Sequence, residues 1–159
     1  MTDIIHRNAV RAILLTPDSE VLLMRIRLDG VAPFWIAPGG GIEVDEQPLT
    51  ALARELKEEV GLEIAEAGGV LWRRQHTFNF RNKRYCQTEH YYAVPTPRFC
   101  PRMDDTAEAV VVDEFRWWTL SEMHDATERL TPLSLANIVE SYLRDGPPKQ
   151  LPKVEILVD

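Results

Sequence analysis

Residues 40–62 read GGIEVDEQPLTALARELKEEVGL, and no other stretch restricts the chain's conformation so tightly. Leu49, Leu52, Ala53, Leu56 and Val60 recur at helical spacing and form one apolar stripe. The pattern predicts a helix from Glu46 to Val60, with Asp45 or Glu46 capping its start and Pro48 tolerated in the first turn. Gly61 suits the left-handed position that ends a helix. Glu55, Glu58 and Glu59 stand at i, i+3 and i+4, so at about 100° of turn per residue they share one face beside the stripe.

Carboxylates that close repel one another by a few tenths of a kcal/mol per pair on a bare helix. Arg54, four residues before Glu58, relieves part of this. A divalent cation relieves more. Mg²⁺ takes carboxylates, carbonyls, waters and substrate phosphate oxygens together. The Pro38-Gly39-Gly40-Gly41 run lets backbone come close to the helix and offers a carbonyl as a further ligand. The competing view, a solvated acidic helix face, leaves the glycines, the Arg54-Glu55 pair and the Gly61 stop unexplained.

The segment resembles the Nudix box, G-x5-E-x7-R-E-U-x-E-E-x-G-U with U apolar. Gly40, Glu46, Arg54, Glu55, Leu56, Glu58, Glu59, Gly61 and Leu62 fill its fixed places, over about a seventh of the chain. The Trp35-x-x-Pro38-Gly39-Gly40 lead-in and the later Arg116-Trp117-Trp118 with its Leu-Ser-Glu helix start also look like the family. The resemblance implies an α/β/α sandwich with a mixed β-sheet. It also implies a metal-dependent hydrolase of nucleoside diphosphates linked to a group X, using Mg²⁺ or Mn²⁺.

By the same similarity Glu58, Glu59 and the Gly39 carbonyl are metal ligands. Glu55 is a further ligand or orients the attacking water. Arg54 holds the glutamates, and Glu46 acts through water or from behind the ligands. Many members add an acid from a loop beyond the box. Glu108, just before Val110-Val111-Val112, is the candidate here, with Asp113 and Glu114 competing. Bound metals lower the pKa of water and stabilise the leaving phosphate, so the protein's share is positioning and proton acceptance.

The remaining sequence sets bounds. Its 159 residues suffice for one domain with a real core, 1–159, with 151–159 as a C-terminal tail. The net charge is -7, and residues 43–66 account for nearly all of it. That balance argues against long nucleic acid as the main partner, though not against an RNA 5′ end. Cys86 and Cys100 are too few for a disulfide scaffold and read as free thiols of a cytoplasmic protein. No signal peptide or membrane span is legible. The oligomeric state is open between monomer and homodimer.

Strands are expected at Val10–Leu15 and Val21–Ile26 across a Thr16–Ser19 turn, at Phe34–Ala37, and at Val70–Phe78 and Arg84–Val94 across an Asn79–Lys83 turn. Further elements are a strand at Val110–Thr119, helices from Ser121 and over Pro132–Arg144, and an extended Val154–Val158. One central helix, a late helix and about six strands make an α+β chain.

Bases along these strands are candidate substrate contacts. Arg25 and Arg27 share a side of their strand, and Arg74 and Arg84 belong to a basic stretch with Arg73, Arg81 and Lys83. Trp35, Phe78, Phe80, Tyr85, Trp117 and Trp118 offer stacking surface, with core packing the commoner role. Adjacent Trp117 and Trp118 must face opposite sides of a strand, one core and one beside a cleft. His76 and His90 read as structural.

The family's ADP-ribose proline, dinucleoside-polyphosphate tyrosine, Ser-Gln-Pro-Trp and coenzyme A signatures are absent at their places. Elimination leaves a (d)NTP or oxidised nucleotide. Dinucleoside polyphosphates, nucleotide sugars, RNA 5′ pyrophosphates and a non-catalytic nucleotide sensor are alternatives, and an isoprenoid diphosphate isomerase using Cys86 has no neighbouring sequence in its favour.

Overall fold

A computed structural model describes residues 3–64, 66–103 and 111–159. In it a 9-stranded mixed sheet is built from β1 (Ile4–Leu15), β2 (Val21–Ile26), β3 (Phe34–Ile36), β4 (Gly39–Gly41), β5 (Val70–Phe80), β6 (Lys83–Pro95), β7 (Val112–Trp118), β8 (Arg129–Thr131) and β9 (Glu155–Val158). The order is β8-β3-β2-β1-β6-β5-β9, with β4 on β1 and β7 on β2. Among the described residues the helices are α1 (Pro48–Val60), α2 (Leu120–His124) and α3 (Leu135–Asp145).

Strand alternation sorts the core into two layers. Val10, Ala12 and Leu14 of β1 join Leu22 and Met24 of β2 under Leu52, Leu56 and Val60 of α1. Ile13, Leu15, Val21 and Leu23 face the other way, packing with Trp35, Met123 of α2, and Leu135 and Ile138 of α3. The α/β/α sandwich implied by the resemblance is therefore present. The two tryptophans divide as alternation requires. Trp118 meets Trp35 edge to face with centroids 5.0 Å apart, and Trp117 meets Phe99 at 5.4 Å on the α1 side. It is the buried Trp118, with Trp35 and Arg116, that borders a cleft.

Several boundaries differ from expectation. Helix α1 starts at Pro48, not Glu46, and its N-cap is Gln47 with no side-chain cap bond. Asp45 has φ 64°, and Glu46 is spent on Glu43 and Arg54. Leu49 is exposed, and Ala51 takes its place on the buried side. Strand β1 begins at Ile4, because it runs parallel to β6 in unbroken register from Ile4↔Arg84 to Leu15↔Pro95. Polar residues in Ile4–Asn8 hide that pairing from a reading by hydrophobic pattern. The β5–β6 turn narrows to Arg81 and Asn82, both at positive φ, as a two-residue hairpin demands. Strand β8 was not expected, and the tail's β9 docks parallel on β5.

Charges are also buried in this sheet. Glu89 on β6 accepts from Arg11 Nε at 2.9 Å, Arg74 Nε at 2.7 Å, Gln87 Nε2 at 3.1 Å and the Tyr91 hydroxyl at 3.3 Å. Arg74 also donates to Thr131 Oγ1 at 3.2 Å. Glu89 and Arg74 are 1% and 3% exposed. Burial by itself would raise the Glu89 pKa, but the two guanidinium groups outweigh it and hold the carboxyl at about 2. Tyr91 moves upward, first through burial and then through the Glu89 charge.

A carboxyl held below its unfolded value stabilises the fold above that value and ceases to do so as pH falls through the folded one. The contribution of Glu89 is thus present above pH 4.5 and lost toward pH 2. Urea unfolding should show Glu89→Gln less stable at pH 7 by about 3 kcal/mol, since two buried cations lose their partner. The difference from wild type should shrink on acidification. A difference that is constant with pH would contradict the assignment.

Candidate functional site

The close approach of β4 to β1 and α1 creates the site. Ala9, Val10 and Arg11 pair with Gly41, Gly40 and Gly39. A Cβ on Gly39 would stand 2.0 Å from the Val10 carbonyl oxygen, and its φ is +147°. A Cβ on Gly40 would stand 2.5 Å from the Glu55 carboxyl carbon. Side-chain-free backbone is therefore what lets the helix carboxylates reach the strand. The closing turn is as expected: Gly61 has φ 73°, and its N–H donates to the Leu56 and Lys57 carbonyls.

Arg54 organises the acids. Its Nε and Nη2 donate to the two oxygens of Glu46, both at 2.9 Å. Its Nη1 donates to Glu55 Oε1 at 2.9 Å and lies 3.6 Å from Glu58, while Nη2 also reaches the Gly41 carbonyl at 3.0 Å. The expected relief of Glu58 is thus the weakest of these contacts. The Arg54 bonds, helped by the Glu43 backbone N–H, hold the Glu46 carboxyl at about 2. The capping role expected of Glu46 is replaced by this clamp on the loop before α1.

Glu59, 2% exposed, accepts from the Gly39 N–H at 3.1 Å. Glu55 is buried beside Gly40, and the Glu58 side chain is nearly half exposed. These carboxylates and the Gly39 carbonyl are hard oxygen donors from two touching elements, the chemistry that Mg²⁺ or Mn²⁺ prefers. The donor set fits such an ion. Among the described residues no three His, Cys, Asp or Glu groups stand together as a finished cluster; Glu55 accepts from Arg54 and Glu59 from the Gly39 N–H.

Sequence reading missed Arg11. Its Nη1 donates to the Ala37 and Gly39 carbonyls at 3.2 and 3.1 Å, while its Nε is held by Glu89. Burial opposes its charge, but Glu89 and also Glu59 favour it, and its pKa rises. The available signal was an arginine inside the apolar run Val10–Leu15, and a glutamate inside the strand that covers it.

The four proposed substrate arginines are dispersed and paired. Arg25 binds Glu128 at 2.6 Å and Asp113 at 2.9 Å, and Arg27 binds Asp113 at 2.7 Å. Arg74 is the buried partner of Glu89. Arg84 donates to Asn79 Oδ1 and the Asp159 carbonyl. Asp113, a competitor for the loop acid, is thereby occupied by two arginines, Glu114 is exposed, and Glu108 lies outside the described residues. Both cysteines are free thiols, Cys86 buried and Cys100 exposed. No helix among the described residues is long and apolar enough to cross a membrane.

Comparison with known proteins bears on this geometry. The NUDIX domain profile matches residues 5–137. The chain is 44% identical over 155 residues to an RNA pyrophosphohydrolase of Helicobacter pylori (strain G27), covering 89% of this chain and 96% of that one. It is 38% identical over 60 residues to an RNA pyrophosphohydrolase of Pelagibacter ubique, covering 38% of this chain and 37% of that one. Matches to the first curated relatives thus span well under half of their length. The crystal structure of a MutT protein from Methanosarcina mazei Go1 superposes with TM-score 0.65 at 20% identity, covering 94% of this chain and all of that one. With the profile running through both core layers and the glycine–glutamate site, the chain belongs to the Nudix hydrolase family.

Proposed function

We propose that the chain hydrolyses a pyrophosphate linkage in a nucleoside diphosphate–X substrate, with a (d)NTP or oxidised nucleotide and an RNA 5′ end as the two substrate classes. The RNA class draws support from the names of the Helicobacter and Pelagibacter relatives, the nucleotide class from the absence of the other substrate signatures in the sequence. The observation that carries the reading is the seating of Glu55 and Glu59 against Gly40 and Gly39. The reading takes 1–159 as one Nudix domain, and two free thiols suit a reducing cytoplasm.

Glu58, Glu59 and the Gly39 carbonyl would hold Mg²⁺ or Mn²⁺, with Glu55 as a further ligand or the group that orients water. When bound, the ion supplies a water of lowered pKa and relieves charge on the leaving phosphate. The chain's own part is to hold that water in line and accept its proton at a carboxylate. Arg54 keeps Glu46 ionised and holds both Glu46 and Glu55 in place for this. Arg11 stiffens the Gly39 backbone from behind. Glu108 remains the proposed loop acid.

Chelation with EDTA should abolish phosphate or nucleotide release, and Mg²⁺ or Mn²⁺ should restore it. Glu58→Gln, at a half-exposed position, should keep the wild-type unfolding midpoint and lower kcat by about 10²-fold or more. Undiminished turnover in that variant would contradict its role.

The two glycines should respond differently. Gly40→Ala meets only the end of the Glu55 side chain, which can swing away, so the fold should survive with activity lost. Gly39→Ala meets Val10 backbone and should lower the unfolding midpoint. Thermal melts read beside activity would separate the two, and equal effects in both would contradict the described packing.

A further inference from the structure

Strand β9 closes one end of the sheet order, and its outer side meets no other strand among the described residues. Its backbone polarity follows from one bond: the Asp159 N–H donates to the Thr77 carbonyl of β5 at 2.9 Å. Alternate residues of a strand turn their N–H and C=O to the same side, so Glu155, Leu157 and Asp159 bond toward β5. Val154, Ile156 and Val158 therefore aim theirs at the open edge. The side chains alternate as well. On one face Glu155 accepts from Trp72 Nε1 at 2.8 Å, and Asp159 pairs with His76 Nε2 at 2.7 Å. Val154, Ile156 and Val158 share the other face and are 38%, 62% and 64% exposed. An edge with free donors and apolar side chains is one that proteins normally blunt, because it recruits a further strand.

We propose that the occupant of this edge is a second copy of the chain, joined by antiparallel pairing of β9 with itself about Ile156. Charge and backbone polarity select this partner and this register. A two-fold axis at Ile156 sets Val154 opposite the partner's Val158 and Lys153 opposite the partner's Asp159. Apolar residues then meet on one face and opposite charges on the other. Every outward N–H and C=O finds its counterpart, Ile156 with the partner's Ile156 and Val154 with the partner's Val158. An axis at Glu155 sets that acid against itself, and an axis at Leu157 sets Glu155 against Asp159. Like charges directly opposite destabilise both of those registers. Registers in between oppose an outward-bonding residue to one already bonded to β5, and they form no ladder. A strand pair of this length covers less than the roughly 1,200 Å² of a stable assembly. Monomer and dimer therefore exchange, with a Kd on the order of 10–100 µM.

Sedimentation velocity of the full chain, from about 1 to about 300 µM, tests this against the expected Kd. The sedimentation coefficient should rise toward that of a dimer as concentration increases. Ile156→Pro removes an outward-facing donor and leaves the bonds to β5, a place where an edge strand tolerates proline. That variant should keep the wild-type thermal midpoint and stay monomeric. Lys153→Glu and Asp159→Lys should each weaken dimerisation about fivefold or more when alone. An equimolar mixture of the two should regain wild-type association, because each like-charge pair becomes an opposite one. This mixture reads the register even where proline loosens β9. Hydrogen exchange at the Val154, Ile156 and Val158 amides should slow as the dimer forms. A chain that stays monomeric at the highest concentration would overturn the proposal. So would a dimer that Ile156→Pro leaves intact, or a mixture that recovers nothing. Protection of those amides in dilute monomer would mean that another segment of the same chain covers the edge, and would overturn it too.

Discussion

The structure turns on three consecutive residues without side chains. Gly39–Gly41 lie against β1 so closely that a methyl group on Gly39 would overlap the Val10 carbonyl, and one on Gly40 would displace the Glu55 carboxylate. The same contact lets the Gly39 N–H reach Glu59 from one side and its carbonyl reach Arg11 from the other. Helix α1, the glycine strand and β1 are therefore one mechanical unit. The hydrophobic effect fixes the helix through Leu52, Leu56 and Val60, and the glycines set how near its acids come to backbone.

Two arginines keep that unit charged and in place by different means. Arg54 works from the rim, spreading its donors over Glu46, Glu55 and the Gly41 carbonyl, so loop and helix are tied through one planar group. Arg11 works from within. Buried ions are tolerated only when paired and hydrogen-bonded, and Glu89 supplies the partner that lets Arg11 hold the Ala37 and Gly39 carbonyls. Glu89 is in turn shared with Arg74. A residue expected to meet substrate is thus part of the frame beneath the site.

Much of the site was legible because its elements are local. Helix α1, its Gly61 stop and the Glu55, Glu58, Glu59 face all follow from spacings within one segment. What the sequence concealed is non-local. The β1–β6 parallel register recruits the polar Ile4–Asn8 stretch into a strand, and only that register reveals that Arg11, Arg7 and Tyr85 share a face. Strand β8, three residues long, carries too few positions for any periodicity to show. Arg25 and Arg27 read as available because their partners, Asp113 and Glu128, lie 86 to 103 residues away.

The account's centre is that the Glu55, Glu58 and Glu59 carboxylates, with the Gly39 carbonyl, gather a divalent cation at the glycine strand. Anomalous diffraction from crystals soaked in Mn²⁺, with and without a non-hydrolysable nucleotide, tests this most directly. The account predicts a peak within coordination distance of those carboxylate oxygens. Crystals that show no peak there in either condition would contradict it.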